Sequence, residues 1–346
     1  AAAAAANAAA PCSPPNAELS CAMAEPHWNA EALRARLVPL LPGLAIEIAA
    51  TTGSTNTDLL ERARAAAREG AGDAGAQVRR SIESGAYGGG ARAGSRASGA
   101  AVDGAMPSHF APCLLVAERQ TGGRGRMGRA WHAEPGASLT FSLALELGAA
   151  DWSGLSLAVG VALAEALDPA RAGRAARIAL KWPNDLWRID GAGRGRKLGG
   201  VLIESIPFGA QRVAVIGVGL NVRPIAARAD FASGCACMQE LAPATSAPAL
   251  LAEVAPALVE TLQAFEHSGF APFRERYAAR DLLCGHAVRT SGAGACEGVA
   301  EGITPHGALI VRTTDGQMQQ VVSGEVSVRL AGHDATADAL PAATRC

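Results

Sequence analysis

The chain reads as an α/β domain followed by a small all-β domain, and three observations predict this. Apolar runs of strand length alternate with helix-length segments between Leu44 and Arg280. Beyond Leu282 the texture changes to short alternating runs separated by glycines. A length of 346 residues allows roughly two domains, each with a core of its own.

Taken in order, residues 1–24 are an Ala/Pro/Ser tract without apolar periodicity, expected to be disordered, with Met23 an alternative start. Asn29 is placed to cap a helix over Asn29–Leu40 that Pro42 stops. Leu44–Ala49 reads as a strand, and Thr51–Thr57 as a turn into a helix from Asp58. Residues 71–108 are rich in Gly, Ala, Ser and Arg and are expected to be a disordered insertion. Strands follow at Cys113–Ala117 and Ser138–Glu146, an apolar helix at Leu155–Leu167, and strands at Arg177–Trp182, Lys197–Glu204 and Arg212–Asn221. Helices are expected at Ala247–His267 and Pro272–Arg280. Runs at Ala287–Thr290, Glu297–Ile303, Ala308–Arg312, Met318–Val322 and Glu325–Leu330 predict the strands of a small barrel.

Charge is nearly balanced, 31 Lys+Arg against 32 Asp+Glu, which argues against a chain that coats nucleic acid or an anionic membrane. No charge-free apolar run is long enough to span a bilayer, so a soluble, cytoplasmic protein is expected. The eight cysteines show no CxxC pair or metal-ligand spacing, so neither a disulfide framework nor a structural zinc is expected. The histidines carry no HxH or HExxH spacing and no GxSxG elbow occurs, leaving hydrolase and metalloenzyme readings without support. Of 31 basic residues only Lys181 and Lys197 are lysines, a hint that those positions discriminate against arginine.

Three constellations carry chemistry. Gly123-Arg-Gly-Arg-Met-Gly128 matches GxGxxG formally, but Trp131, Pro135 and a new strand follow where a dinucleotide site needs a helix. What remains is a glycine loop bearing Arg124, Arg126 and Arg129, suited to phosphate or carboxylate, or else a solvated basic turn. Lys181-Trp-Pro-Asn-Asp185 sets side-chain oxygens at a turn, where they close it or meet a ligand or metal. Arg196-Lys-Leu-Gly-Gly200 puts Lys197 at the mouth of an apolar strand, able to aim a compact ammonium at an anion. Ser54-Thr-Asn56 and Gly217-Val-Gly-Leu-Asn221 lie at element boundaries, as caps or as ligand contacts.

Together, in this order, Ser54-Thr-Asn56, Gln120 with Gly123–Arg129 and Trp131, Lys181–Asp185, Arg196–Gly200, Gly219-Leu-Asn221 and Ser323–Arg329 resemble the biotin protein ligases over about residues 44–330. The resemblance implies an α/β (α+β) fold: a mixed-sheet catalytic domain of the biotin/lipoate ligase type over 25–281, an SH3-like barrel over 282–331 and a flexible tail over 332–346. It implies that ATP and biotin, with Mg²⁺, form biotinyl-5′-adenylate, and that the biotinyl group passes to a lysine of a carrier domain. The implied partner is the biotin carboxyl carrier protein or domain of acetyl-CoA carboxylase and other biotin-dependent carboxylases. Ser54, Thr55, Asn56, Gln120, Arg124, Gly125, Arg126 and Lys197 would bind biotin, with Lys197 and Arg126 catalytic. Arg129, Trp131, Asn184 and Asn221 would lie on the nucleotide side, under a glycine loop that orders over the adenylate.

Met127 stands where many relatives carry another basic residue, and the 71–108 insertion is outside the family pattern. The stretch before Ala50 is too short for a winged helix, so no sequence-specific DNA partner is expected. Neither is a membrane partner; a monomer or ligand-induced homodimer is. A lipoate-protein ligase and a non-catalytic biotin- or nucleotide-binding protein remain as alternatives.

Overall fold

The computed structural model describes residues 28–83, 109–191, 193–224, 235–291, 295–322 and 328–330. Helix α1 (Ala30–Leu37) is capped by Asn29, whose Oδ1 accepts from the Ala32 amide at 2.9 Å. It ends short of Leu40 because Pro39 has no N–H for the next helical bond and its ring crowds the preceding turn. Strand β1 (Ala45–Thr52) leads into α2 (Thr55–Glu83), which starts three residues earlier than Asp58 and runs well past Ala71. The expectation of disorder from 71 is therefore corrected for 71–83. Gly72 and Gly75 each disfavour helix there by about 1 kcal/mol, but the alanines, Gln77, Arg79 and Arg80 around them favour it. The remainder of that insertion, 84–108, and the expected disordered ends at 1–24 and 332–346 lie outside the described residues.

The chain continues through β2 (Cys113–Gln120), β3 (Ser138–Glu146), α3 (Leu155–Leu167), β4 (Ile178–Lys181), β5 (Asp185–Ile189), β6 (Gly195–Phe208), β7 (Gln211–Asn221) and α4 (Ala247–Ser268). The helix expected over Pro272–Arg280 is instead a 3₁₀ turn, Ala271–Phe273, followed by a short α5 (Arg274–Ala278). Seven strands form one sheet in the order β1-β2-β3-β7-β6-β5-β4, parallel between β1 and β2 and antiparallel elsewhere. It is a mixed sheet, with α2 as the crossover between its parallel pair.

Alternation along β3 and β7 divides the sheet into two unlike faces. Leu139, Phe141, Leu143 and Leu145 of β3, with Ala214, Ile216, Val218 and Leu220 of β7, join the main core beneath α3 and α4. The other face is apolar only at one end. There Leu59, Leu60 and Ala63 of α2 cover Cys113, Leu115, Ala144, Ile206, Phe208, Val213 and Val215. Further along the same strands this face carries Ser142, Thr140 and Ser138 on β3 and Gly217, Gly219 and Asn221 on β7, and α2 stops above them.

The C-terminal unit consists of β8 (Ala287–Thr290), β9 (Glu297–Ile303), β10 (Leu309–Thr313), β11 (Met318–Val321) and β12 (Val328–Leu330). They pair antiparallel in the order β11-β10-β9-β8-β12, the last strand returning beside the first as in an SH3-like barrel. Trp182 Nε1 donates to the Gly307 carbonyl at 2.9 Å, and Gly307 (φ 78°) lies too close to Gly154 to carry a Cβ. At the joint, the buried Asp281 carboxyl accepts from the Leu283 amide at 2.9 Å. Burial pushes its pKa up to about 6.

Among the described cysteines, Cys113, Cys235, Cys237 and Cys296 are free thiols and Cys284 is disulfide-bonded. No described helix is long and apolar enough to cross a membrane.

Candidate active site

The groove lies where α2 ends over the small-residue stretch of the sheet. Ser54 caps the helix, its Oγ 3.5 Å from the Thr57 amide, so the first-turn N–H groups and the positive end of the dipole face the groove. The Asn56 amide lies directly on β7, and a Cβ at Gly217 would collide with its Oδ1. Its Nδ2 donates to Glu204 Oε2 at 3.0 Å and to the Leu202 carbonyl at 3.3 Å. Ser142 Oγ donates to Asn56 Oδ1 at 2.6 Å and stands 2.7 Å from Thr55 Oγ1. Gln120 Oε1, at the end of β2, accepts from the Thr55 amide at 2.8 Å. The sequence-predicted Ser54, Thr55, Asn56 and Gln120 are thus brought together, all but Gln120 buried.

The glycine loop between β2 and β3 folds as a small hairpin. Gly125 N–H donates to the Arg129 carbonyl at 2.7 Å and Trp131 N–H to the Gly123 carbonyl at 2.8 Å. Its tip is a 3₁₀ turn, Arg126–Gly128, in which Met127 takes a left-handed φ of 58° that a side chain adopts at some strain. Met127 is exposed, so the position departing from the family pattern points its side chain to solvent. Arg124 reaches back to Thr57 Oγ1 at 3.0 Å and Glu204 Oε2 at 3.3 Å, latching the loop to the start of α2. Trp131 lies flat on β7, where a Cβ at Gly219 would run into its indole. Its Nε1 is buried with no hydrogen-bond partner, as are Ser138 Oγ and Thr140 Oγ1 on the floor. Buried donors and acceptors of this kind call for a polar partner, a water or a ligand, on the floor of the groove.

Across the groove from α2, the β4–β5 hairpin and the start of β6 supply charge. Lys197 Nζ donates to Asp185 Oδ1 at 2.8 Å, and Gly200 leaves room for the pair. Arg126 Nη1 reaches Asn184 Oδ1 at 3.4 Å, while Asn184 Nδ2 holds the Val201 carbonyl at 2.7 Å. Burial draws the Arg126 pKa down, opposed by Asp185 and reinforced by Arg129. Asn221 Nδ2 donates to the Ala236 carbonyl, and the Ala236 amide to the Lys197 carbonyl, tying Asn221 to the Lys197 strand.

Arg129 is exposed on the outer limb of the loop and is not drawn into the groove's hydrogen bonding. Of the two lysines only Lys197 joins the Asp185–Arg126 cluster, Lys181 resting over the Trp187 ring at 4.5 Å. Sequence reasoning missed Glu204, Ser142 and Asp185 as site residues. Asp185 lay inside a motif already singled out; the other two meet Asn56 across 148 and 86 residues, with no local signal.

Two family models match this architecture in order. Residues 108–221 match the Biotin/lipoate A/B protein ligase family, and residues 287–329 the biotin protein ligase C terminal domain. The biotin–[acetyl-CoA-carboxylase] ligase of Paracoccus denitrificans is 34% identical over 220 residues, 61% of this chain and 88% of that protein. The chain belongs to the biotin protein ligase family. It is also 35% identical over 221 residues to the bifunctional ligase/repressor BirA of Salmonella typhimurium, covering 62% of this chain and 66% of that relative's length. The structure of the Aquifex aeolicus biotin protein ligase in complex with biotin and ATP superposes with a TM-score of 0.53 at 27% identity, covering 63% of this chain and 89% of that one.

Proposed function

We propose that this chain joins biotin to ATP and then passes the biotinyl group to a lysine of a biotin carboxyl carrier domain. The observation that carries the reading is the division of one groove into a neutral hydrogen-bonding end and a cationic end. Thr55, Asn56 and Gln120 make the first, and Arg126 with Lys197 the second. That polarity matches a ligand with a neutral polar head and a carboxylate tail.

In the first step a biotin carboxylate oxygen attacks the α-phosphorus of ATP and pyrophosphate leaves. Two anions must approach, so fixed positive charge at the meeting point lowers the barrier. Lys197 supplies it once Asp185 releases its ammonium to the incoming oxygens, and the partly desolvated Arg126 adds a second donor. In the second step the carrier lysine's amine attacks the acyl carbon and AMP leaves. Trp131 and the hairpin shield the mixed anhydride from water in between. The orphaned Trp131 Nε1 and the Asn184 and Asn221 amides border the nucleotide end in this reading. Mg²⁺ would enter on the ATP phosphates, which supply its oxygens, with Asp185 the carboxylate beside Lys197. Among the described residues no three His, Cys, Asp or Glu side chains gather as a cage of their own.

ATP–pyrophosphate exchange with biotin and with lipoate tests the assignment. Exchange with biotin alone is expected. Exchange with lipoate alone would move the chain to the lipoate branch, and binding without exchange would make it a non-catalytic binder.

A further inference from the structure

Glu204 lies on β6 on the groove side and takes no part in the reaction described above. Its Oε2 nevertheless accepts from Asn56 Nδ2 and from Arg124 Nη2 at once. The orientation of the Asn56 amide follows from this. Nδ2 faces a carboxylate and a backbone carbonyl, neither of which can donate, so the flipped amide would set oxygen against two oxygens.

The consequence passes along the chain of contacts. Asn56 Oδ1 must accept, so Ser142 Oγ must donate to it. Having used its only proton, Ser142 must accept from Thr55 Oγ1. Thr55 then has no proton left for Gln120 Oε1, 3.2 Å away, which already accepts from the Thr55 amide. Thr55 Oγ1, which could otherwise donate or accept, is left as an acceptor only, beside a Gln120 oxygen that accepts in any case.

We propose that Glu204 is a positioning residue that fixes the direction of the Thr55–Ser142–Asn56 relay, making the Thr55 hydroxyl an obligate acceptor that selects a ligand N–H. The assignment rests on the reading of the groove as a biotin site, where that N–H belongs to the ureido ring. It differs from a merely structural role because it concerns which way the hydrogens point. Glu204 also holds Arg124, so the relay and the loop latch share one carboxylate.

The test is isothermal titration of the full chain with biotin and with two analogues, each having one ureido N–H replaced by a ring oxygen. The wild-type chain is expected to reject one analogue by about 100-fold or more, because a lost donor leaves the buried Thr55 acceptor facing an oxygen. In Glu204→Gln the amide can present either end to Asn56, leaving only the longer 3.3 Å contact with the Leu202 carbonyl to hold the Asn56 orientation, so the relay can reverse and the rejection ratio should fall at least tenfold. Ser142→Ala cuts the relay on a different strand and should collapse the same ratio, which keeps the test open if either variant folds poorly. A residue that only braced the fold would weaken biotin and analogue alike. An unchanged ratio in folded variants would overturn the relay while leaving biotin binding intact. A wild-type chain that bound no biotin would overturn the groove reading and the relay with it.

Discussion

Gly217→Ala puts one methyl group where the Asn56 amide now lies. The helix start holding Asn56 is buried, so relief requires the side chain to swing out or α2 to lift. Swinging out breaks the bonds to Ser142, Leu202 and Glu204, at about 1 kcal/mol net for each. Strain from overpacking falls in the range of about 1–3 kcal/mol. Relaxation trades one against the other, so a loss of about 2–4 kcal/mol is expected. At roughly 2–4 °C per kcal/mol for a domain of this size, the melting temperature should fall by about 5–15 °C. Calorimetry of the ligand-free chain measures this, and exchange kinetics should show a raised KM for biotin. The decisive comparison uses Asn56→Ala as background. With the amide gone the three atoms nearest the methyl group are removed, so Gly217→Ala should add much less further loss. The same loss in both backgrounds would refute the reasoning.

Gly219→Ala meets the indole of Trp131, which sits on a loop and can move aside; the melting temperature should hold within about 2 °C while KM for ATP rises about tenfold. A melting loss as large as that of Gly217→Ala would show the loop to be rigid. Lys197→Ala should slow adenylate formation by about 10²–10³-fold, and Lys197→Arg should recover little of it, since the planar fork replaces a compact ammonium. Single-turnover rates measure both, and a near wild-type arginine variant would exclude the role given to Lys197. Asp281 tests the joint between the domains. Burial raises its pKa from 3.8 to about 6, so between those pH values the folded chain keeps a proton that the unfolded chain has released. The stabilisation is complete below about pH 4 and is lost as pH rises through 6, a difference of up to ~3 kcal/mol. Asp281→Asn should therefore melt higher than wild type at pH 8, with the gap closing toward pH 4; a gap independent of pH would mean that Asp281 does not titrate in this way.

The elements most legible in the sequence were those whose pattern is local and unopposed. β3 and α3 fall at the expected bounds, because β3 alternates Leu and Phe with Ser and Thr, and α3 is apolar on every side. β5 was hidden, since Asp185–Ile189 follows a Pro-Asn turn and reads as its continuation. The length of α2 was misjudged because low complexity was equated with disorder, although alanine needs no partner to favour helix. In the site, Thr55, Asn56, Gln120, Arg126 and Lys197 were legible as polar or charged residues in glycine settings. Glu204 and Ser142 were not, because each looks like an ordinary strand residue until β3, β6 and α2 are brought together.

The face of the sheet that α2 covers only in part has a thermodynamic side. Helix α2 roofs Val213 and Val215 with apolar side chains, covers Gly217 only with the polar Asn56 amide, and leaves Gly219 to Trp131 of the loop, so β7 passes from an apolar interior to a polar groove within four residues. A molecule lying in the groove beside the Asn56 amide and the Trp131 indole would cover the polar stretch of the strand that α2 leaves open. The ligand would then be the last piece of the interior as well as the reactant. Occupancy at a hundred times Kd adds about 2.7 kcal/mol to the folded state. Part of that gain should appear as slower amide exchange from Gly217 to Asn221, at the end of β7 where Gly217 and Gly219 bring no side chain to the groove face.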